Sequence, residues 1–219
     1  MPKQSKSTEV EFFNQFGEGK SYDAFDERGY RRIVGEFLKY FNLQENLTAV
    51  DLGCGTGAFT GRFLNANLKL YGVDLSENCV DYARKKYPQV LFSVGDIEHL
   101  DFSDEFFDVV FLTSVLHHFP DMRDALRECR RILKKGGVLL SLDPNKNNPF
   151  MRLYRSKGSP FYSSKGVTAN EEPVSANDVK TALESCGFYE SKVYSISGVT
   201  YKYVDHKMAS LILPVYNFI

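Results

Sequence analysis

The chain has 219 residues, of which 43% are hydrophobic and 25% are charged, and its formal net charge is −1 at pH 7. These proportions are typical of a globular domain, and they exclude a chain that is disordered or of low complexity throughout. Nearly equal numbers of acidic and basic residues also argue against a nucleic-acid substrate, because a phosphate-binding surface needs an excess of lysine and arginine.

The cysteines and the apolar segments indicate the cellular setting. The 4 cysteines show no CxxC spacing, so we expect free thiols in a reducing compartment. The polar first residues do not resemble a secretory signal. The sequence also lacks an apolar run of the roughly 18–20 residues that span a bilayer. We therefore expect a cytoplasmic protein without stable membrane insertion.

Residues 1–47 are predicted to form an N-terminal helical cap or lid. Apolar side chains recur at helical spacing between about Thr8 and Phe41. Residues 16–29 separate the two helical parts and are rich in glycine and aromatic residues. Such a stretch can fold over a pocket as a lid.

From residue 48 onward, short apolar runs alternate with helical patterns. The predicted strands are residues 48–52, 69–73, 90–94, 107–112 and 138–142, and the predicted helices are residues 58–64, 76–86 and 122–133, the last one closed by residues 134–137. Alternating strands and helices form right-handed βαβ units, which build a parallel sheet covered by helices on both faces. The pattern therefore predicts an α/β domain over residues 48–219.

The last third of the chain is less regular. Residues 144–175 are predicted to form an insertion on the substrate side, with one short helix near residues 150–155. Residues 175–186 are predicted to form a helix and residues 189–197 a strand. A partner for that strand is not evident unless residues 199–204 supply it in a tight hairpin. A missing strand would leave an exposed sheet edge, which favours a homodimer.

The densest motif is VDLGCGTG at residues 50–57, at the end of the first predicted strand. Glycines let the chain turn tightly and let the backbone approach a ligand closely. The free N–H groups at the start of the following helix point at that ligand. A turn alone rarely needs three alternating glycines, so the motif predicts a nucleotide-binding loop.

Three aspartates indicate which nucleotide binds. Asp51 precedes the loop, where its carboxylate would repel a diphosphate but attract an ammonium group. Asp74 ends the second predicted strand, where a carboxylate can bond both ribose hydroxyls. Asp96 follows the third strand and can accept a hydrogen bond from an adenine amino group. Together they favour a ligand with an adenosine, an ammonium group and no phosphate, and S-adenosyl-L-methionine fits this description.

The chain also resembles the class I S-adenosylmethionine-dependent methyltransferases, most closely the branch that methylates small molecules in quinone and natural-product biosynthesis. The resemblance rests on VDLGCGTGAFT, on YGVDLSENCVDYARKK and on the segment from VGDIEHLDF to SLDPN, in this order. It is strong over residues 48–145 and moderate over residues 175–197. It implies a Rossmann-like, doubly wound and mostly parallel sheet with the strand order 3-2-1-4-5-7-6, of which the last strand is not evident here.

The resemblance implies that S-adenosyl-L-methionine is the cofactor and S-adenosyl-L-homocysteine the product. It also assigns cofactor contacts along the predicted sheet edge and in the lid. From the methionine end to the adenine, the implied contacts are Asp51, Gly53, Gly55, Thr113, Ser114, Asp74, Leu75, Asp96 and Ile97, with Tyr22 of the lid closing over them.

His117 and His118 are the candidate catalytic residues, because they follow the fourth predicted strand where the substrate should enter. A sulfonium methyl group is already activated, so catalysis needs mainly alignment. An oxygen or carbon nucleophile must also lose a proton, and a histidine can accept it. The pair could instead cap a turn or contact the cofactor. Asp143 and Asn145, at the end of the fifth predicted strand, are candidate substrate contacts.

We expect no metal and no nucleic acid. Catechol-type methyltransferases bind a metal through an acid at the end of the fourth strand and through an Asp-Asn pair after the fifth. This chain has Thr113 at the first position, with Asp143 and Asn145 at the second, so half of the ligand set is missing. Base-amine methyltransferases carry an Asn/Asp-Pro-Pro-aromatic motif, which residues 113–118 do not match.

The predicted function is transfer of a methyl group to an O, N or C nucleophile of a small organic acceptor by in-line displacement. Substrate choice is expected to lie in residues 1–47 and 144–175, whose aromatic content indicates an apolar or aromatic acceptor. One alternative is a catalytically inactive protein that binds S-adenosylmethionine. Another is an NAD(P)-dependent oxidoreductase, against which Asp51 and Asp96 argue.

Overall fold

A computed structural model describes residues 5–15, 23–42, 44–149, 153, 155, 158–162, 168 and 171–196 of the chain. The strands in these residues form one parallel sheet: β1 (Leu47–Leu52), β2 (Leu68–Asp74), β3 (Leu91–Val94), β4 (Phe107–Thr113) and β5 (Leu133–Leu142). Their order is β3-β2-β1-β4-β5. The order reverses between β1 and β4, and α/β sheets leave a ligand-binding crevice beyond the carboxyl ends of the strands at such a point. The predicted parallel α/β sheet is confirmed.

The helices cover this sheet and connect its strands. Those with described bounds are α1 (Lys6–Asn14), α2 (Glu27–Phe37), α3 (Glu77–Lys86), α4 (Arg123–Ile132) and α5 (Ala176–Ser185), and the short 3₁₀ helices are Thr60–Phe63 and Leu116–His118. The side chains of Asp26, Ser76 and Ser175 each accept a hydrogen bond from the backbone N–H three residues later, at 2.6, 3.2 and 3.1 Å. These caps satisfy N–H groups that have no partner within the helix, which explains why α2, α3 and α5 begin where they do.

Strand β4 lies at the centre of the core and is buried on both faces. Successive side chains of a strand point to opposite faces, and both Phe111 and Leu112 are 0% exposed. On one face, the Phe111 ring stacks on Phe63 with a centroid separation of 4.7 Å and an interplanar angle of 18°. On the other face, Leu112 belongs to the same apolar cluster as Leu126 and Ile132 of α4. Two layers of helices therefore enclose the sheet.

The chain enters β5 earlier than the sequence predicts. β5 begins at Leu133, directly after α4, so the predicted helix closure at residues 134–137 is wrong. The pairing between β4 and β5 skips these four residues, which bulge from the ladder. Lys134 in the bulge donates to both carboxylate oxygens of Asp108, at 2.9 and 2.8 Å. This attachment to β4 keeps the bulge beside the sheet. The predicted helix at residues 58–64 is reduced to a single 3₁₀ turn.

The predicted strand at residues 189–197 is wrong, because residues 189–196 contain no strand. A strand needs a neighbour that supplies ladder hydrogen bonds, and side-chain contacts attach this segment instead. The Tyr194 hydroxyl, for example, donates to Glu36 of α2 at 2.9 Å. The 7-6 part of the predicted strand order is therefore not formed in the described residues, and residues 199–204 lie outside them.

The N-terminal region has the predicted helical character. α1 and α2 lie within it, while its boundary at residue 47 and the extent of the insertion at residues 144–175 stay predictions. The predicted short helix near residues 150–155 falls largely outside the described residues. Among the helices that the structure describes, none has both the length and the apolar character that crossing a membrane requires.

Candidate cofactor and acceptor site

A cavity of about 150 Å³ opens beyond the carboxyl ends of β1, β2 and β4. The end of each of these strands contributes to its wall, and α1 and the 3₁₀ helix Leu116–His118 contribute further side chains. The residues predicted from the sequence that line it are Asp51, Gly53, Gly55, Asp74, Leu75, Ile97, Thr113, Ser114, His117 and His118. The structure thus brings most of the predicted site into one cavity, while Tyr22 lies outside the described residues.

The glycine loop has a backbone that other residues would not adopt easily. Gly53 and Gly55 have φ angles of +73° and +51°, in the region that favours glycine. A Cβ atom on Gly53 would lie 2.6 Å from a methyl group of Val115, so a side chain there would also clash. A Cβ on Gly55 would meet nothing within 4 Å, because the loop borders open space at that point. A ligand can therefore approach the backbone of the loop closely.

Asp51 places a buried carboxyl group directly beneath this loop. Its side chain is 1% exposed, and its Oδ2 atom accepts a hydrogen bond of 2.5 Å from the hydroxyl of Thr60. Burial raises the pKa of Asp51 to about 7, and the nearby charge of Asp74 acts in the same direction, while the bond from Thr60 opposes both. A carboxylate in this environment is stabilised by a cation, so the position suits the ammonium group of an amino acid.

Asp74 is oriented by the backbone on both sides. Its Oδ2 atom accepts from the N–H of Gly55 at 2.7 Å, and its Oδ1 atom accepts from the N–H of Ser76 at 2.9 Å. Burial nevertheless raises the pKa of Asp74. Each carboxylate oxygen can accept a second hydrogen bond, so the group can still receive two ribose hydroxyls. Leu75 and Ile97 line the same cavity and offer apolar contact for an adenine ring.

Asp96 is engaged differently from the prediction. Its Oδ2 atom accepts from Lys6 of α1 at 2.5 Å, and its Oδ1 atom accepts from the N–H of Glu98 at 3.0 Å. Lys6 also pairs with the carboxylate of Glu98. An adenine amino group would have to share Asp96 with this lysine, so the adenine contact stays a prediction.

The end of β4 presents two polar residues to the cavity. The Oγ1 atom of Thr113 is buried and has no hydrogen-bond partner among the described residues. Ser114 follows with a φ of +61°, a conformation that is strained for a residue with a side chain. Buried polar atoms are normally hydrogen-bonded. The unmet hydroxyl at the cavity wall therefore suits a polar atom of a bound ligand.

His117 is held rigidly by Asp143 at the end of β5. The Nδ1 atom of His117 lies 2.9 Å from Oδ1 of Asp143. The same oxygen accepts the backbone N–H groups of Val115 and His117 at 3.1 and 3.2 Å. When Nδ1 of the neutral ring donates to the carboxylate, Nε2 carries the lone pair. That Nε2 atom lies 3.7 Å from Oε2 of Glu171.

His118 lies between carboxylates from two distant parts of the chain. Its Nδ1 atom is 3.0 Å from Oε2 of Glu9 in α1 and 3.9 Å from Oε1 of Glu171. Burial alone would lower the pKa of His118, but Glu9 and Glu171 outweigh that effect and raise it. The ring of Phe13 meets the imidazole edge-on, with centroids 5.7 Å apart.

Comparison with known proteins gives consistent results. Residues 50–141 match the family described as "Methyltransferase domain". A demethylmenaquinone methyltransferase of Thermotoga maritima is 35% identical over 117 residues, which cover 52% of this chain and 49% of that protein. A malonyl-[acyl-carrier protein] O-methyltransferase of Yersinia pestis is 30% identical over 122 residues, which cover 55% of this chain and 45% of that protein. The chain thus spans just under half the length of these two relatives.

Among solved structures, the chain is similar to the [4+2]-cyclase SpnF, with a TM-score of 0.65 and 19% identity over 85% of this chain and 74% of that one. This likeness supports the fold. The family match covers the strands and the glycine loop that form the cavity. Residues 50–141 thus match a methyltransferase domain, in agreement with the predicted class I S-adenosylmethionine-dependent family. The predicted family, fold class and cofactor are confirmed.

The cavity is also lined by residues that the sequence analysis did not single out. Glu9 is 4% exposed although it lies on a short N-terminal helix, and Glu171 lies in the insertion. Thr168 joins the two: its hydroxyl donates to Glu9 at 2.6 Å, and its N–H donates to Glu171 at 2.9 Å. Both acids resemble solvated surface residues in the sequence. The one available signal was their position in the two segments that were expected to cover the pocket.

Proposed function

We propose that the protein is an enzyme that transfers the methyl group of S-adenosyl-L-methionine to a nucleophilic atom of a small organic acceptor. The observation that carries this proposal is that the buried carboxyl group of Asp51 and the partly buried one of Asp74 share one cavity with His117 and His118. The first pair suits the ammonium group and the ribose of the cofactor, and the second pair lies where a nucleophile could meet the sulfonium methyl group. The family match of residues 50–141 supports it.

In the proposed complex, the ammonium group of the cofactor pairs with Asp51, and the methionine part lies against the glycine loop and the unmet hydroxyl of Thr113. Asp74 receives the ribose hydroxyls. The adenine packs between the apolar side chains of Leu75 and Ile97. The remaining proposed contacts are those of Gly53, Gly55, Asp96 and Tyr22.

The chemistry of a sulfonium methyl donor sets what the protein must supply. The positive charge on sulfur disappears as the methyl group leaves, so strong stabilisation of that charge would slow the reaction. Alignment of the acceptor with the S–CH₃ bond and exclusion of water are the main contributions. An oxygen nucleophile must also lose a proton, and we infer that His117 and His118 lower the cost of that loss.

The acceptor is proposed to be small and at least partly apolar. Aromatic rings from the N-terminal region and from the turn after β4 line the cavity, among them Phe13, Phe25, Tyr30 and Phe119. The relative named as a demethylmenaquinone methyltransferase supports an apolar or aromatic acceptor. A cytoplasmic location accords with the free thiols of all four cysteines. A homodimer is proposed from the apolar edge of β3, where Leu91 and Val94 are about half exposed, at 53% and 48%.

Thermal unfolding with S-adenosylmethionine, S-adenosylhomocysteine and NADH tests the cofactor site. A ligand that binds only the folded state must raise the melting temperature. We expect the two sulfur compounds to do so and NADH to have no effect. Asp74→Asn should weaken the binding of S-adenosylhomocysteine by about 10- to 100-fold, since a hydrogen bond to a charged group contributes roughly 1.5–3 kcal/mol. The matched control is Asp81→Asn on the exposed face of α3.

Turnover is tested by measuring release of S-adenosylhomocysteine with a panel of hydroxyl, carboxyl and amine acceptors. Product release above the rate without acceptor would establish an enzyme. Tight cofactor binding without turnover on any acceptor would favour a non-catalytic binding protein. A melting-temperature shift with NADH alone would refute the cofactor assignment.

A further inference from the structure

One wall of the cavity collects four ionisable side chains from three separate parts of the chain. His117 and His118 follow β4, Glu171 lies in the insertion, and Glu9 lies on α1. Each side chain is at most 13% exposed. One donor atom from each of His117, His118 and Glu171 lies within 4.8 Å of the other two. Such a concentration of N and O donors in a buried wall needs a physical reason.

Hydrogen bonding does not supply that reason. The distances from Glu171 to His117 Nε2 and to His118 Nδ1 are 3.7 and 3.9 Å, which are too long for hydrogen bonds. The Nδ1 atom of His118 is buried and lies 3.0 Å from Glu9, yet it makes no aligned hydrogen bond within the described part of the chain. These separations resemble those between neighbouring ligands of a metal ion, which are about 3–3.5 Å when each ligand lies about 2.0–2.2 Å from a tetrahedral ion.

Three of these four side chains, those of His117, Glu9 and Glu171, are held by outer partners in the manner of metal ligands. His117 points its Nδ1 atom at Asp143, which directs the lone pair of Nε2 towards the cluster. Thr168 fixes both carboxylates, through its hydroxyl to Glu9 at 2.6 Å and through its N–H to Glu171 at 2.9 Å. Metal-binding histidines and carboxylates almost always have such orienting hydrogen bonds.

We propose that His117, His118 and Glu171, with Glu9 beside them, bind a divalent transition-metal ion, and that an oxygen atom of the acceptor completes its coordination. Two imidazoles and carboxylate oxygens suit zinc and its neighbours in the first transition row, whereas magnesium and calcium prefer oxygen ligands alone. The prediction of no metal was based on a different set of ligand positions, which includes Thr113 and Asp143. The acceptor part of this proposal rests on the proposed methyltransferase function.

The ion gives the acceptor a defined chemistry. A hydroxyl group that binds a divalent cation releases its proton to solvent at a lower pH than the same hydroxyl group does when it is free in water. A lone pair of the resulting oxygen anion then forms the bond to the methyl carbon, and the carbon–sulfur bond breaks with its electron pair left on sulfur. The products are a methyl ether and neutral S-adenosylhomocysteine. The acceptor class is therefore one with a hydroxyl or enol oxygen, and the histidines act as ligands and not as free bases.

A cobalt titration tests the site without using activity. The full-length protein is dialysed against a chelator, Co²⁺ is added, and the visible absorption of the bound ion is recorded, with Zn²⁺ and Mg²⁺ as competitors. We expect one Co²⁺ per chain, displaced by Zn²⁺ but not by Mg²⁺. His118→Gln and Glu171→Gln should each weaken binding more than tenfold, and Asp143→Asn should weaken it about 10- to 100-fold. The matched controls are His99→Gln and Glu172→Gln, which should bind Co²⁺ as the unmodified protein does.

The melting-temperature shift with S-adenosylhomocysteine, measured on the chelator-treated protein and on each variant, shows that a variant is folded and separates the two proposals. Cofactor binding without specific Co²⁺ binding would overturn the metal site and leave the histidines as free bases. Specific Co²⁺ binding without cofactor binding would overturn the proposed function but not the metal site. Equal Co²⁺ affinity in Glu171→Gln, His118→Gln and the unmodified protein would also refute the site.

Discussion

Asp51 allows a quantitative test, because its carboxyl group is fully buried beneath the glycine loop. Burial raises its pKa from 3.8 to about 7. Between these two pKa values the folded protein keeps a proton that the unfolded chain has released. The contribution of this proton to the free energy of unfolding is therefore present at low pH and is lost as the pH rises to 7. The difference between the two pKa values corresponds to about 4 kcal/mol, of which about 3 kcal/mol is lost above pH 5.

The informative substitution is Asp51→Asn. Asparagine keeps an oxygen that can accept the bond from Thr60, but it has no charge to bury. The difference in the free energy of unfolding between the variant and the unmodified protein should therefore be about 3 kcal/mol larger, in favour of the variant, at pH 8 than at pH 5. Urea unfolding followed by circular dichroism at both pH values measures this difference. Asp101→Asn, at an exposed position, is the control and should show no pH-dependent gain.

The same variant tests the role of Asp51 in binding. If the ammonium group of the cofactor pairs with this carboxylate, Asp51→Asn should weaken the binding of S-adenosylhomocysteine by at least about tenfold at pH 8, in spite of the higher stability of the variant. The affinity of the unmodified protein should rise between pH 6 and pH 7, because binding requires the ionised form. A stability difference that is identical at pH 5 and pH 8 would refute the assigned ionisation, and unchanged affinity would refute the ammonium contact.

Two further predictions concern the loop and α1. Gly53→Ala should lower the free energy of unfolding in urea by about 2–4 kcal/mol, because the positive φ and the close approach of Val115 both disfavour a side chain there. The control Gly136→Ala, at a φ of +79° but with open space around it, should lower it by only about 1 kcal/mol. Equal losses in the two variants would exclude the clash with Val115. Lys6→Met should tighten the binding of S-adenosylhomocysteine about two- to tenfold in calorimetric titration, because Asp96 gains a free acceptor oxygen for the adenine amino group. The control is Lys135→Met at an exposed position. Weaker binding by Lys6→Met would show instead that the lysine supports the site.

The sheet and the position of Asp51 and Asp74 at its edge could be predicted because their signals are local in sequence. Residues 107–112 are apolar on both faces, as a central parallel strand requires, and β4 is buried on both faces. Asp51 and Asp74 each end a strand next to the glycine loop, so their position follows from strand ends alone. The carboxyl ends of parallel strands meet at one edge, which brings the two carboxylates into the same cavity.

Three of the errors and omissions have a common physical cause, since each of these three depends on a distant partner. The strand predicted at residues 189–197 had the right composition but lacks a neighbour to pair with in the described residues. Lys6 reaches Asp96 across 90 positions, and Glu9 reaches Thr168 across 159. Periodicity and short motifs carry no information at such separations. These charged residues therefore looked like surface residues, although Glu9 is almost completely buried.

The three-part origin of the histidine and glutamate wall has an evolutionary consequence. The contacts proposed for the cofactor come mainly from a continuous set of strand ends, whereas the wall draws on α1, the turn after β4 and the insertion near residue 171. A change at Glu9 of α1 or at Glu171 of the insertion can therefore alter which acceptor is accommodated without touching the contacts proposed for the methyl donor. Such a division lets one donor-binding framework acquire new acceptors by replacement of its two peripheral segments.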